Sequence, residues 1–241
     1  MMKVLRGDGP LLRIGHRGAA ALAPPNTIAA IEAALEAAVD MVELDVIAAP
    51  GGRLLLGHSL SELPAEPVPF DSALELVAGR PGLTLLADLK RPGYESELVA
   101  ALRRHDLIGR TLASSAEVQT LRALRRVEPA LARSRTYPRD RLGLGRRRAV
   151  PLAGAGLAAM RAALPRRIGR IAGRVGASVL TLQFRFVSRT LVRRCHGRGI
   201  AVFAWTVNDP DLVAAFDELA VDGVITDDPR VFTGFRATLQ A

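Results

Sequence analysis

Short apolar segments alternate with longer amphipathic segments along most of the chain. The first apolar segment, residues 11–15, precedes a loop rich in glycine, alanine and proline. Asn26 or Thr27 can cap the alanine-rich helix that follows, which runs to about Val39. The same patterns predict helices beginning near Asp71, Glu95 and Ala116, a helix between residues 182 and 200, and a short extended segment at residues 53–57. They predict strands at residues 11–15, 41–47, 83–89, 111–114, 131–135, 179–182, 200–205 and 223–226.

Regular alternation of strands and helices is typical of parallel βαβ construction, because parallel strands need a crossover connection between them. Eight such strands in 241 residues predict an α/β protein with a closed (β/α)8 TIM barrel, and an open, doubly wound sheet is the alternative. The pattern is least regular at residues 139–176, where one or two amphipathic helices can be placed only loosely. Because no repeat or linker divides the chain, we expect one domain over residues 1–241.

Composition places the chain among globular proteins. Hydrophobic residues make up 49% of it, which is enough apolar surface for a large core. The single cysteine, Cys195, excludes an intrachain disulfide and a cluster of cysteine ligands. No segment approaches about 18 consecutive apolar residues, the length of a spanning helix. The first ten residues carry Lys3, Arg6 and Asp8 without the apolar segment of a secretory signal, so we expect a cytoplasmic protein.

The net charge of +9 comes almost entirely from arginine. Lys3 and Lys90 are the only lysines, and the abundance of arginine, alanine, glycine and proline is typical of GC-rich coding sequences. Aromatic residues are 4% of the chain and no nucleic-acid reading motif is present, so we do not predict nucleic-acid binding. The arginine-rich segment 139–174 is compatible with a weak contact between the protein and an anionic membrane surface. The oligomeric state is unknown from these patterns.

Two acidic residues share one face of the predicted strand at residues 41–47. Glu43 and Asp45 are two positions apart, whereas Val42, Leu44 and Val46 point to the other face. Because helices cover the apolar face of a barrel strand, the two carboxylates must point into the barrel interior or its mouth. They form either an arginine-paired structural cluster or a site for a hard divalent cation, Mg²⁺ or Ca²⁺.

The next long strand repeats this arrangement at its end. Asp88 and Lys90 are again two positions apart, and Asp88 can supply a third oxygen ligand. Lys90 is an ammonium in a chain dominated by arginine, which favours a role for a compact point charge. The alternative is an ordinary solvated strand end.

Two histidines end predicted strands. His16 follows residues 11–15 and His58 follows residues 53–57, each directly after a glycine. In barrel enzymes, catalytic groups lie at the carboxyl ends of the strands. The two histidines are therefore candidates for a general acid and base, although a single histidine in such a place is usually structural.

The chain resembles the glycerophosphodiester phosphodiesterase family. The resemblance extends from residue 14 to residue 229 and implies a phosphodiesterase barrel of the phospholipase C type that binds Mg²⁺ or Ca²⁺. It is carried by an ordered set of motifs: His16-Arg17-Gly18, Pro24-Pro25-Asn26-Thr27, Glu43-Leu44-Asp45, Gly57-His58, Asp88-Leu89-Lys90, the run from Ala204 to Asn208 and the run from Asp222 to Pro229.

The resemblance also implies roles for individual residues. Glu43, Asp45 and Asp88 would be metal ligands, with Asp88 where the family usually has glutamate. His16 and His58 would be the general acid and base. The residues that would contact the substrate or its phosphate are Arg17, Lys90 and Trp205.

The implied activity is metal-dependent hydrolysis of small-molecule glycerophosphodiesters to sn-glycerol 3-phosphate and an alcohol. In the family, the glycerol 2-hydroxyl is the expected nucleophile, and histidine acid/base catalysis proceeds through a cyclic phosphate. The alternatives are a lipid phosphodiesterase similar to lysophospholipase D and a catalytically weak barrel that binds phosphodiesters or phospholipid head groups.

Three departures from the family pattern bear on these expectations. Pro25 replaces the usual glutamate, and Ser59 replaces the usual aspartate after His58. Residues 59–70 are too few for the small subdomain that the family usually inserts over the barrel mouth. We therefore expect a barrel that lacks most of this subdomain and has an open mouth.

Overall fold

The computed structural model describes residues 2, 4–138 and 151–233, with the backbone alone described at 151–157. Within these ranges, seven α-helices surround a nine-stranded sheet. The strands are β1 Leu12–Gly15, β2 Met41–Ala48, β3 Leu54–Leu56, β4 Thr84–Leu89, β5 Thr111–Ser115, β6 Ala132–Tyr137, β7 Val179–Gln183, β8 Ala201–Trp205 and β9 Gly223–Thr226. The helices are α1 Ile28–Glu36, α2 Phe70–Ala78, α3 Glu95–Arg104, α4 Val118–Val127, α5 Pro151–Gly173, α6 Arg189–His196 and α7 Pro210–Glu218.

The sheet closes on itself. Strand β1 pairs in parallel with both β2 and β9, and the order continues through β8, β7, β6, β5 and β4 back to β2. Strand β3 is added outside this ring as an antiparallel partner of β2. The predicted (β/α)8 barrel is therefore confirmed, and the open sheet is wrong, because an open sheet would leave β1 unpaired on one side.

Two helices differ from the sequence-based expectation. The irregular segment contains one helix of 23 residues from residue 151 onward, and the part of the prediction at residues 139–150 lies outside the described residues. Helix α7 was not predicted, although Asp209 caps it through a hydrogen bond from the Asp211 N–H and Pro210 is at its first turn.

The barrel has an inner core and an outer core, and strand alternation assigns each residue to one of them. On β2, Val42, Leu44 and Val46 pack outward against helices, while Met41 packs inward. The same alternation carries Glu43 and Asp45 to the inner face above Met41. The inner core consists of Val4, Ile14, Met41, Leu86, Leu112, Ala132, Val179, Ala201, Phe203 and Ile225.

The N-terminal segment covers the end of the barrel where the strands begin. The buried carboxylate of Asp222 accepts hydrogen bonds from the N–H groups of Arg6 and Val202, at 3.0 and 2.8 Å, and contacts His196 Nε2 at 2.8 Å. His196 is therefore held by a carboxylate. Together, these bonds fix the floor beneath the inner core.

No helix within residues 2, 4–138 and 151–233 combines the length and the apolar character that crossing a membrane requires.

Phe203 is fully buried in the inner core, two positions before Trp205 on the same strand. We expect Phe203→Ala to lower the free energy of unfolding by about 3–5 kcal/mol, because the cavity cannot be refilled by the surrounding strands. Urea denaturation followed by circular dichroism measures this change. Val127→Ala, at an exposed position, is the control, and equal losses in both variants would contradict the assignment of Phe203 to the inner core.

Candidate active site

A cleft of about 760 Å³ lies at the carboxyl ends of the barrel strands. Its volume is within the range of small-molecule binding sites. Its walls include Leu86 and Ile225 from the inner face of the barrel. The polar and aromatic residues along it include His16, Arg17, Glu43, His58, Ser59, Asp88, Lys90, Arg91, Ser114, Glu117, Thr136, Thr181, Gln183, Phe184, Trp205 and Asp227.

Three carboxylates converge on one side of this cleft. Glu43 and Asp45 extend from β2, and Asp88 extends from β4, where it is paired in register with Asp45. One oxygen from each carboxylate lies within 4.8 Å of the others. The side chain of Asp45 is fully buried and lies behind the cleft wall, whereas Glu43 and Asp88 line it.

Two cations hold this carboxylate cluster together. The Lys90 ammonium contacts both Asp45 Oδ1 and Asp88 Oδ2. On the opposite side, Arg17 Nε lies 3.0 Å from Asp45 Oδ2, and the Arg17 backbone N–H donates to Glu43 Oε2 at 2.8 Å. The alternative of a solvated strand end at Asp88 and Lys90 is wrong, because both side chains are engaged in this cluster.

The turn at the end of β1 requires unusual backbone angles. Arg17 has φ +52°, in the left-handed region, and Gly18 follows at φ +85°. A Cβ on Gly18 would come within 2.5 Å of the Ala30 carbonyl carbon, so the loop can pack on α1 only with glycine there. This turn points both the backbone N–H and the side chain of Arg17 at the carboxylates of β2.

Asn26 supports the cluster from below. Its side-chain Nδ2–H donates to Asp45 Oδ2 at 3.1 Å, and its Oδ1 accepts from the Asp45 backbone N–H at 3.0 Å. Sequence reasoning considered Asn26 only as a helix cap, and Thr27 performs that role by accepting from Ala30 N–H. Asn26 belongs to the family motif at residues 24–27, but its hydrogen bonds to Asp45 depend on the path of the loop.

His16 lies between two carboxylates. Its Nδ1 is 2.6 Å from Asp227 Oδ1, and its Nε2 is 3.8 Å from Glu43 Oε2. Asp227 is held in turn by Asn208, whose Nδ2–H donates to Asp227 Oδ2 at 2.7 Å and whose Oδ1 accepts from the Asp227 N–H at 2.9 Å. Asp227 thus fixes the Nδ1 side of the ring, and Nε2 is directed to the cleft. No role was predicted for Asp227, although it directly follows the last barrel strand.

His58 and Trp205 complete the rim. His58 lies on the cleft wall, 40% exposed, with Nδ1 3.4 Å from Glu62 Oε2. Trp205 ends β8, the seventh parallel strand, and lines the far wall beside Phe184. The predicted residues therefore meet in one place, with Asp45 buried directly behind them.

Burial and charge shift the pKa values of these groups. Burial, together with the charge of Asp45, raises the pKa of Glu43 to about 7. Burial also acts to raise the pKa of Asp45, but Lys90 and Arg17 outweigh it and hold that pKa well below its ordinary value. Burial alone would lower the pKa of Lys90. The carboxylates of Asp88 and Asp45 outweigh burial and raise this pKa, so the ammonium stays charged.

The two histidines are shifted in opposite directions. For His16, burial lowers the pKa, but the carboxylates of Glu43 and Asp227 outweigh burial and raise the pKa above its ordinary value. For His58, burial and the charge of Lys90 lower the pKa. His58 is therefore the more readily neutral of the two rings.

The donor set fits a divalent cation. Three carboxylates converge in a largely buried site, where Lys90 and Arg17 contact them and His16 lies 3.8 Å from Glu43. Oxygen donors are those that Mg²⁺ and Ca²⁺ prefer. The contact of Arg17 with Asp45 is the part of the arginine-paired alternative that the structure bears out.

Comparison with known proteins identifies the family. A model of the glycerophosphoryl diester phosphodiesterase family matches residues 16–62 and 87–231. The chain belongs to this family. The predicted class of enzyme, a phosphoric diester hydrolase, is thereby confirmed at the level of the glycerophosphodiester phosphodiesterase family.

Relatives in this family match the chain over nearly its full length. A glycerophosphodiester phosphodiesterase of Caldanaerobacter subterraneus is 26% identical over 255 residues, covering 91% of this chain and 95% of the relative. A glycerophosphodiester phosphodiesterase structure from Parabacteroides distasonis has a TM-score of 0.74 at 19% identity, with 95% and 98% of the two chains covered. An Oleispira antarctica phosphodiesterase, solved with the product sn-glycerol-3-phosphate, has a TM-score of 0.70 at 21% identity, with 94% and 96% covered.

The departures from the family pattern differ in their position relative to the cleft. Pro25 is exposed and does not line the cleft, while Asn26 beside it still bonds Asp45. Ser59 lines the cleft and pairs with Ser61 at 3.1 Å. Residues 59–69 form a single 3-10 turn and a bridge from Pro69 to Leu55, with no further domain between them.

The contact between His16 and Asp227 generates a direct spectroscopic prediction. We expect Asp227→Asn to lower the pKa of His16, because one of the two carboxylates that raise it is neutralised. An NMR titration of the four histidine rings in metal-free protein measures the shift. The matched control is Asp228→Asn, whose carboxylate pairs with Arg230; an Asp227→Asn spectrum in which every histidine titrates as in the unaltered protein would contradict the contact.

Proposed function

We propose that this protein is a metal-dependent phosphodiesterase that hydrolyses glycerophosphodiesters to sn-glycerol 3-phosphate and an alcohol. The observation that carries the proposal is the convergence of three carboxylates, two cations and two histidines on one cleft. Family membership supports a small phosphodiester as the substrate class, and the Oleispira relative was solved with the named product.

Glu43, Asp45 and Asp88 would hold the cation, either Mg²⁺ or Ca²⁺. When bound, it supplies positive charge that stabilises the negative charge developing on the phosphoryl oxygens. Without it, the carboxylates of the cluster would oppose the approach of a phosphodiester anion.

Arg17 and Lys90 provide the remaining positive charge around the phosphate. Both side chains line the cleft, and both are already held by carboxylates, so they need little reorganisation when substrate binds. Preorganised charge of this kind contributes strongly to catalysis in a site that excludes water. Trp205, on the opposite wall, would pack against the glycerol or the alcohol.

The two histidines would transfer the protons. We assign the first deprotonation, that of the glycerol 2-hydroxyl, to His58, because its lowered pKa keeps the ring neutral. The 2-hydroxyl oxygen then bonds to phosphorus, the bond from phosphorus to the alcohol oxygen breaks, and His16 donates a proton to the departing oxygen. A cyclic phosphate results, and water opens it with the two roles reversed.

Asp227 would act as a positioning residue in these steps. Its carboxylate accepts the Nδ1–H of His16, which leaves Nε2 to exchange protons with substrate. It also stabilises the ring in its protonated form. Asn208 holds the carboxylate in place and connects it to the loop that follows Trp205.

The size of the cleft keeps a lipid substrate as the second candidate. About 760 Å³ is more than a glycerophosphoryl group fills, and the described segment 59–69 is too short to form a further domain over the mouth. A lysophospholipid would use the same carboxylates and histidines. Hydrolysis of lysophosphatidylcholine in preference to glycerophosphocholine would favour this alternative.

We expect His16→Ala and His58→Ala each to lower the rate of glycerophosphocholine hydrolysis by about 10²–10⁴-fold, with the fold intact by circular dichroism. The unaltered protein should lose activity with a chelator and regain it with Mg²⁺ or Ca²⁺. His105→Ala is the matched control, because His105 contacts Asp71 on the helical surface.

Full activity in His16→Ala or His58→Ala would remove the histidine from the mechanism. If calorimetry shows that glycerophosphocholine binds but no divalent metal supports its hydrolysis, the protein is the catalytically weak binding barrel and the proposed enzyme is wrong.

A further inference from the structure

The charge along the chain changes abruptly at the second half of the barrel. Residues 151–208 contain no aspartate or glutamate, although the whole chain has 24 of them. The same segment contains ten arginines: Arg161, Arg166, Arg167, Arg170, Arg174, Arg185, Arg189, Arg193, Arg194 and Arg198. An arginine-rich composition alone explains the arginines but not the loss of every acid.

All ten of these arginines are exposed. Within the described residues, none of them has a carboxylate partner. The bonds that exist lead to carbonyl groups, such as those from Arg194 to Pro165 at 3.4 Å and from Arg198 to Arg194 at 3.1 Å. Elsewhere on the surface, arginines such as Arg104 are paired with acids. Unpaired guanidinium groups remain available to an external anion.

The arginines of α5 and α6 form one continuous surface, which we call the α5–α6 flank. It comprises the exposed arginines of α5 and α6 together with Arg174, directly after α5, and Arg198, two residues after α6. The helices pack side by side: Arg194 of α6 reaches the Pro165 carbonyl of α5, and Arg198 lies beside Gly169. Because Leu164, Ile168 and Ala172 face the core, Arg166 and Arg170 on the opposite face of α5 point outward.

An exposed apolar stretch adjoins this charge. Met160 is 42% exposed, and Ala158, Ala159 and Ala162 around it are exposed as well. Met160 is seven and ten positions before Arg167 and Arg170, so the three share one stripe of the helix. The flank therefore presents one exposed apolar side chain next to its positive charge.

We propose that the α5–α6 flank binds the surface of a membrane that contains anionic lipids. The negative surface potential of such membranes attracts a cluster of arginines like that of the α5–α6 flank. Met160 would enter the boundary between head groups and acyl chains. A nucleic acid is the less favoured partner, because neither α5 nor α6 contains phenylalanine, tyrosine or tryptophan for base stacking. The proposal is independent of the reaction that the cleft performs.

Co-sedimentation of the full chain with lipid vesicles tests the proposal. We expect binding to vesicles in which about one third of the lipid is phosphatidylglycerol, no binding to pure phosphatidylcholine, and weaker binding as salt increases. Arg167→Gln/Arg170→Gln should weaken binding by about fivefold per arginine, or roughly 25-fold in total. The matched control removes the same charge elsewhere, in Arg53→Gln/Arg80→Gln, and should bind as the unaltered protein does.

Two further measurements distinguish membrane binding from nucleic-acid binding and from loss of catalysis. Met160→Gln should weaken vesicle binding severalfold and leave any binding to a short DNA duplex unchanged. Hydrolysis of a soluble glycerophosphodiester should be the same in Arg167→Gln/Arg170→Gln as in the unaltered protein, so loss of docking is distinguishable from loss of catalysis. Absence of binding to anionic vesicles, equal loss in the flank and control variants, or binding to the duplex without binding to vesicles would overturn the proposal.

Discussion

The site depends on the convergence of three carboxylates at the ends of β2 and β4. They are held by the ammonium of Lys90 and the guanidinium of Arg17, and His16 lies beside Glu43. Grouping buried carboxylates is costly, and one consequence is the raised pKa of Glu43, which burial and the charge of Asp45 cause. A divalent cation would add positive charge here and prepare the site for an anionic substrate.

The barrel makes this arrangement possible because its strands are parallel and closed. Closure directs the inward residues of all strands to one interior, and parallel direction brings every carboxyl end to the same rim. The register of Asp45 against Asp88 then sets the spacing of the carboxylates. The floor is fixed from the other end, where Asp222 ties the N-terminal segment to the barrel. The chemistry is therefore confined to one side of a rigid support.

The barrel and the inward placement of Glu43 and Asp45 follow from local patterns of the sequence, whereas the roles of Arg17 and Trp205 come from the resemblance to the family. The two-residue spacing of Glu43 and Asp45, opposite Val42, Leu44 and Val46, is enough to send the acids inward. The contacts that the sequence does not predict depend on loops. Asn26, Asp227 and Asn208 act across long sequence separations, and their contacts are decided by loop conformation, which periodicity does not report. Helix α7 is a different case, because Asp209 and Pro210 are a local capping signal for a helix that was not predicted.

The central claim is that Glu43, Asp45 and Asp88 together hold a divalent cation. The most direct measurement is anomalous diffraction from a crystal grown with Mn²⁺, an ion that also takes oxygen ligands. The account predicts one strong peak bounded by oxygen atoms of all three side chains. A crystal with Mn²⁺ bound elsewhere and the three carboxylates still held only by Lys90 and Arg17 would contradict it.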